Sequence, residues 1–466
     1  MNFVKNNKRL NGSGIGRQPG IPAAWWLILS LTFGASSLSA TAADSIDFSI
    51  GLSAPQNTPE AVVGTALTQA CQTAPPSSEN ALSYLRAVCN YIPASTPPTR
   101  EQTAVLKEIS AKVNTSTSLL VSRAPAIRFS GDIASRMAAL RRSTQAGPLR
   151  TGFRTRLDSL PPVIPIFRAG PDTDAAGGIY SQRLSGFVNG NYASAEQRET
   201  TTEMGFASTG QGITAGIDYR IGPHSFLGVA PQLNTVSASL TDDGSALKGS
   251  QYAIVLYGTH FLTDAWYLEA TVGRGTQKLQ LDRRISFTAG PTTVQVTAEG
   301  ETASAQTSLS LSTGSELALP YNATLSLSGN LVYAASSIDG YTEKNADSLN
   351  LTVAAQDVSS LTAQFIGSVS RAFSFRQGVL IPQLGATWLH EIKRDGERLQ
   401  AQFAADTNAT QFGFVTRQQD ADYFILNADA QFLMPGGRVG FLRVSNVQLL
   451  RDRSETGVTL GFRMEF

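Results

Sequence analysis

From about residue 181 to residue 466 the chain alternates apolar and polar residues in twelve separate runs, and this pattern constrains the fold more than anything else in the sequence. Period two places successive side chains on opposite faces of an extended strand. The runs fall at 182–194, 209–220, 225–239, 249–261, 265–283, 302–318, 323–335, 360–374, 378–392, 421–433, 437–448 and 456–466. In the last, Val458, Leu460, Phe462, Met464 and Phe466 share one face, while Thr459, Gly461, Arg463 and Glu465 share the other. In 323–335, Leu325, Leu327, Leu331 and Tyr333 oppose Ser326, Ser328 and Asn330; in 302–318, Leu309 and Leu311 interleave with Ser308, Ser310 and Ser312.

The connections alternate too, in length. Tight, turn-forming links occur at 221–224, 262–264, 319–322, 375–377 and 434–437, rich in Gly, Pro, Asn and Asp. Between them lie longer polar links at 195–208, 284–301, 336–359 and 393–420, with medium ones at 240–248 and 449–455. A soluble sandwich has no reason to sort its loops this way, and it needs a purely apolar interior that these serine-lined faces do not supply. A closed barrel in an outer membrane does both: apolar faces meet lipid, polar faces line the lumen, and tight periplasmic turns alternate with larger outer loops. The expected class is mainly β: a 12-stranded antiparallel transmembrane β-barrel preceded by a small α-helical N-terminal region.

The opening residues agree with that address. Lys5, Lys8, Arg9 and Arg17 precede the apolar stretch around Ala23-Ala24-Trp25-Trp26-Leu27-Ile28-Leu29, and small residues follow to Ala42. Residues 1–42 read as a secretory signal peptide, its apolar core too short to span a bilayer as a helix. No other long apolar run occurs, so a membrane span has to be β. A net charge of +1 and a mean hydropathy of −0.07 give no basic domain for a nucleic-acid partner, and alternating faces average to neutral hydropathy in a barrel.

Five ordered segments carry a resemblance. Ser185-Gly186-Phe187-Val188-Asn189-Gly190-Asn191-Tyr192, Ala215-Gly216-Ile217-Asp218-Tyr219-Arg220, Tyr257-Gly258-Thr259-His260-Phe261, Asp264-Ala265-Trp266-Tyr267-Leu268 and Trp388-Leu389-His390-Glu391, with the terminal Phe466, resemble the autotransporter translocator domain of type V secretion over residues 181–466. The resemblance implies a monomeric twelve-stranded barrel in the outer membrane of a Gram-negative bacterium, surrounded by outer-membrane lipid. It also implies periplasmic chaperones and the barrel assembly machinery as partners, with Phe462, Met464 and Phe466 as the C-terminal assembly signal.

Upstream, residues 126–180 hold a basic segment and a Pro/Gly-rich linker. Gly131-Asp132-Ile133-Ala134-Ser135-Arg136-Met137-Ala138-Ala139-Leu140-Arg141 looks like the family's pore helix, with Ile133, Met137 and Leu140 at helical spacing beside Arg136 and Arg141. Members that self-cleave in the pore carry paired asparagines just before this helix; Gly131 and Asp132 stand there instead, which argues against cleavage by that route. Candidate lumen partners for these arginines are Glu269, Glu316, Glu391 and Glu465, and His390 is read with Glu391 as part of the lumen's polar network. Twelve strands about 4.8 Å apart and tilted about 40° make a barrel roughly 24 Å across, leaving roughly 12–14 Å inside the side chains. One α-helix, about 10–12 Å wide, nearly fills that bore.

Residues 43–125 remain as a short passenger. Thr58-Pro59-Glu60 and Thr99-Arg100-Glu101 have the form of helix starts; Leu82, Leu85 and Cys89 share one helical face, and Leu106, Ile109 and Val113 another. A helical hairpin or three-helix unit is expected, with too little core to be secure alone. The chain's two cysteines, Cys71 and Cys89, lie here and in an exported protein are expected to pair. With no histidine before His224, neither a metal shell nor a Ser-His-Asp base can form in this unit, and no cofactor or catalytic site is expected. The expected role is translocation or anchoring of the N-terminal region at the cell surface. The alternatives are a channel with a periplasmic helical plug, or a barrel-borne hydrolase using outer-loop carboxylates such as Asp395, Glu397, Asp406 and Asp420.

Overall fold

In the computed structural model the described residues are Val63, Gly64, Ala66, Leu67, Cys71, 83–92, 99–110, Met137 and 184–465, less the short segments 200–204, 242–243, 394–397, 407, 416–419 and 436. Twelve antiparallel strands close a barrel: β1 (Leu184–Gln197), β2 (Phe206–Arg220), β3 (Ser225–Leu240), β4 (Ala246–Phe261), β5 (Trp266–Ala289), β6 (Thr292–Leu319), β7 (Ala323–Ile338), β10 (Gln356–Arg371), β12 (Gly378–Glu391), β15 (Asp422–Met434), β16 (Arg438–Gln448) and β17 (Arg453–Glu465). The first strand pairs with the last from Ser185↔Glu465 to Gln197↔Arg453, and β10 pairs with β12, so no barrel edge is left open. A short β11 (Phe373–Phe375) continues β10 into the turn before β12.

Each alternating run became a barrel strand, and the sense of the alternation is inverted relative to a soluble protein. Leu384 is 70 % exposed and Leu460 64 %, with Ile213, Leu227, Tyr252, Leu256 and Phe462 exposed on the same outward wall. Inward positions such as Asn189, Thr214, Gln232, Gln251 and Gln277 are buried. The serines that ruled out a sandwich therefore face the lumen, where hydrogen bonding is available to them.

The link at 284–301, read as a long polar connection, is itself paired strand. β5 and β6 run through this region as a hairpin that turns at Gly290, whose φ of 60° suits glycine. Ile285 opposes Val296 and Phe287 opposes Val294, an alternation with its own apolar face above the barrel. The links at 336–359 and 393–420 also hold strands: β8 (Tyr341–Thr342), β9 (Leu351–Val353), β13 (Arg398–Phe403) and β14 (Phe412–Val415) form a second sheet in the order β14-β13-β9-β8. A 3-10 turn at Asp347–Leu349 leads into β9.

Among the described residues two helices with defined bounds precede the barrel, α1 (Ser83–Tyr91) and α2 (Arg100–Ser110), and Val63, Gly64, Ala66, Leu67 and Cys71 are also helical. α2 starts with a reciprocal capping box. The Gln102 amide N–H donates to Thr99 Oγ1 at 3.3 Å while the Thr99 amide N–H donates to Gln102 Oε1 at 2.8 Å. The Gln102 side chain also donates to the carbonyl of Tyr91 at 2.6 Å, tying the two helices together. Cys71 and Cys89 form a disulfide. Thr58-Pro59-Glu60, Leu82, Val113 and residues 1–42 lie outside the described residues, as does Phe466.

Candidate functional site: lumen and outer cap

The lumen is built in three levels. At the tight-turn end, inward positions of β1, β3, β4 and β5 bring Phe187, Phe226, Phe261, Tyr257 and Tyr267 together, with Phe187 edge-on to Tyr257 and Phe226 edge-on to Phe261 at centroid separations of 6.3 and 6.4 Å. Inward glycines make room for these rings: a Cβ on Gly216 would collide with Phe187, and one on Gly228 with Tyr257. Met137 is helical, 2 % exposed and part of this aromatic cluster. Of the pore-helix residues named from the sequence, Ile133, Arg136, Leu140 and Arg141 lie outside the described residues. Beneath the rings Asp218 accepts from Ser185 Oγ at 2.6 Å and from Tyr257 Oη at 3.1 Å.

At mid-height the inward wall is lined with carboxamides. Asn234 donates to Gln251 at 3.0 Å, Gln251 donates to Gln306, and Gln306 donates to Gln277 at 2.9 Å, crossing four neighbouring strands. Farther round, Ser312 donates to Asn330 at 3.2 Å and Asn330 to Gln364 at 3.1 Å. Asn189, Thr214 and Gln232 sit opposite one another on β1, β2 and β3, each 1 % exposed.

The carboxylates named from the sequence scatter. Glu269 is buried on the inward face of β5, and Glu316 lies on that face of β6. Glu391 is buried and accepts from Thr362 Oγ1 at 2.9 Å and Tyr423 Oη at 3.1 Å. Glu465 pairs through its backbone with Ser185. His390 is not a lumen residue. Two positions from Trp388 on the outward face of β12, its Nδ1 lies 2.8 Å from Asp422, which also accepts from Trp388 Nε1 at 3.0 Å. Even-numbered positions of β12 face outward, so His390-Glu391 splits across the wall and cannot act as a pair. Phe462 is exposed on the outward face, and Met464 shares that face. Sequence reading missed a half-buried pair altogether: the buried Asp429 on β15 receives the partly exposed Arg443 guanidinium of β16, at a register position where the two residues oppose. Opposite charges in adjacent runs were its only signal.

At the long-loop end the helices and the loop sheet share one hydrophobic core. Val63, Leu67, Leu85, Val88, Leu106 and Ile109 from the helical region pack with Ile285, Phe287 and Val294 of the hairpin and with Leu349, Leu351, Phe403 and Phe412 of the loops. α1 lies against the turn at Asp347–Leu349, and α2 lies against β5. Ser348 Oγ accepts from the backbone N–H of Leu85 at 3.0 Å, inside the first turn of α1, so a barrel loop supplies the helix cap. Beneath it Arg283 on β5 and Glu343 form a buried ion pair. Arg283 Nε donates to Glu343 at 2.9 Å and Nη2 to the carbonyl of Leu349 at 2.7 Å, while Glu343 accepts from the Leu351 amide at 2.9 Å. Burial, together with the neighbouring Glu343 charge, raises the Tyr341 phenol above its ordinary value against the opposing pull of Arg283. Asp406 and Asp420 are engaged structurally: the first closes a turn by accepting the amides of Asn408 and Thr410, and the second receives the amide of Arg451. Asp395 and Glu397 lie outside the described residues.

A closed twelve-stranded barrel with an apolar exterior and an amide-lined lumen is an outer-membrane protein of the transporter type. The family model described as the autotransporter β-domain matches residues 186–441, and the chain belongs to that family. Among solved structures it is similar to the translocator domain of the autotransporter NalP from Neisseria meningitidis, at 15 % identity over 61 % of this chain and 88 % of that one, with a TM-score of 0.49. It is similar also to the β-domain of the Bordetella autotransporter BrkA, at 14 % identity over 61 % of this chain and 100 % of that one, with a TM-score of 0.43. A third, the toluene transporter TbuX of Ralstonia pickettii, gives 10 % identity, 61 % and 90 % coverage and a TM-score of 0.40. No curated protein matches the chain. Its location is the outer membrane of a Gram-negative bacterium.

Proposed function

We propose that the barrel exports its own N-terminal helical unit and keeps it as a folded cap over the outer mouth, with the chain between them threading the lumen. The shared core of helices and loop sheet carries this reading: the helical unit completes its hydrophobic interior with residues of the long loops, which face the cell exterior in this class of barrel. Topology supports the threading. β1 starts at the tight-turn end, because Leu184 opposes Tyr219 next to the turn at 221–224, whereas α2 sits at the opposite end. A chain joining them has to cross the membrane, and the burial of Met137 among lumen aromatics together with the 1 % exposure of Asn189 and Gln232 favours a route through the bore.

On this reading the barrel performs no chemistry of its own, residues 1–42 direct export, and the assembly machinery inserts the barrel. The unit is anchored rather than released. The test is protease shaving of intact cells with a tag placed after Asp47: the tag is lost if the unit is outside, and its persistence until the outer membrane is permeabilised refutes export. Planar-bilayer recording supplies the second arm. Full-length protein is expected to conduct poorly, and Met137→Glu, which sets a charge among Phe187, Phe226 and Tyr257, to conduct more; a large steady current from the unaltered chain makes it a channel instead.

A further inference from the structure

The outward wall of β4 and β5 carries a cluster that export does not use. Going up β5 from the tight-turn end, the outward positions are Trp266, Leu268, Ala270 and Val272, then Arg274, Thr276 and Lys278; on β4 they are Leu256, Ile254 and Tyr252, then Ser250 and Lys248. Register sets Arg274 opposite Ile254, Lys278 opposite Ser250 and Lys248 opposite Gln280. The two lysines are thus diagonal neighbours, about 7–8 Å apart at the backbone, and Arg274 lies about 14 Å from Lys278 along the same strand, or about 10 Å lower in the membrane. With about 3.4 Å per residue and a tilt of about 40°, Arg274 stands about 21 Å and Lys278 about 31 Å above Trp266. Those heights bracket the top of an apolar band about 25 Å tall, at the headgroup level of the leaflet on the long-loop side.

Two observations separate this cluster from ordinary surface charge. Lys248, Arg274 and Lys278 are all exposed, and among the described residues none pairs with a carboxylate; Arg274 reaches only the Thr307 hydroxyl. By contrast Arg283, Arg443, Arg451 and Arg453 each hold an acid. Secondly, the other described barrel strands carry no group of basic residues outward at this level: β1, β2, β3 and β7 offer Glu196, Gln211, Thr235 and Ser337, and Lys393, just past the end of β12, is a single cation there that donates to Ser359 Oγ on β10. Two acids flank the cluster on its upper side without an ion pair to it: Glu301, diagonal to Lys278, is engaged by the Gln280 amide at 3.4 Å, and Asp282 is diagonal to Lys248, one step farther from the apolar wall. Three cations at a membrane boundary with no ion pair of their own are unfavourable next to apolar wall unless a counter-charge meets them there, and anionic headgroups gain with each basic residue at their level.

We propose that Lys248, Arg274 and Lys278 bind the phosphates of a multiply phosphorylated glycolipid in the outer leaflet, with Tyr252 and Ile254 contacting its acyl region. The inference rests on the orientation adopted above, with the long loops outside. Native mass spectrometry of the full-length chain in detergent, with added diphosphorylated glycolipid, its dephosphorylated counterpart and phosphatidylglycerol, tests it. The unaltered chain is expected to retain the diphosphorylated lipid at least about tenfold better than either comparison lipid, and K248Q/R274Q/K278Q to lose that preference while its heat-modifiable gel shift persists. Equal retention of the three lipids by the unaltered chain overturns the proposal, as does undiminished preference in the triple variant. The lipid comparison decides even if the variant fails to assemble. A failed orientation would register separately, as protection of the Asp47 tag from external protease.

Discussion

Replacing Arg283 by methionine is expected to open the outer cap and leave the barrel intact. The guanidinium is 4 % exposed in its side chain and Glu343 5 %, so the pair is removed from water, and the substitution strands the Glu343 carboxylate with only the Leu351 amide while orphaning the Leu349 carbonyl. Removing one member of a buried ion pair typically costs about 3–5 kcal/mol, because the survivor keeps its desolvation penalty without its partner. If that cost falls on local opening of the loop sheet, the open fraction rises about a hundredfold or more. The Asp347–Leu349 turn carries both the Ser348 cap and the Leu349 contact, so α1 loses its seat at the same moment. The measurement is the rate at which external protease cuts residues 339–355 in purified protein, beside the heat-modifiable shift that reports the closed barrel. Arg283→Met should speed cleavage strongly without altering the shift, and R283M/E343M should recover most of the protection, since an apolar pair leaves no charge behind. An unchanged cleavage rate in the single variant would refute the reasoning, and so would a double variant as open as the single.

Ser348→Ala removes the side-chain cap of α1 and is expected to cost about 0.5–2 kcal/mol, read as faster hydrogen exchange at Leu85 with barrel amides unaffected. C71S/C89S, which opens a disulfide spanning 18 residues of sequence, should lower the cap's stability by about 3 kcal/mol, checked by shaving rates under oxidising conditions. Because Tyr341 is held neutral by burial in the folded cap while an unfolded tyrosine ionises near pH 10, the cap keeps its full stability below that value and loses it as pH rises beyond. Tyr341→Phe should therefore flatten the alkaline part of a protease-sensitivity profile, and an unchanged profile would dismiss the effect.

The strand register was legible because a barrel wall faces two different solvents. Lipid on one side and a polar lumen on the other force every second residue to choose, so twelve runs show in the primary structure even though their average hydropathy is neutral. The hairpin at 284–301 was missed although it alternates as well, with Ile285, Phe287, Val294 and Val296 in step; its polar partner positions Thr288, Thr293 and Gln295 read as loop. His390 was misjudged for a simpler reason. Histidine is compatible with either face, and only its step from Trp388, which stacks on Phe365 at 5.5 Å on the outward wall, settles the matter.

Pattern within the chain thus determined the strand count, the inward and outward faces, the order of short and long connections and the two-cysteine helical unit. Those features are local, set by neighbours one or two residues away along the strand or three or four along the helix. Tertiary structure alone decided where the helical unit goes. The Ser348 cap on Leu85 joins residues 263 apart in sequence, and the core that holds Leu67, Leu106, Phe287 and Phe403 together exists only after four distant segments converge. No periodicity encodes such a meeting: each segment carries an apolar surface too small to bury alone, and which surface completes it depends on where the closed barrel delivers its loops.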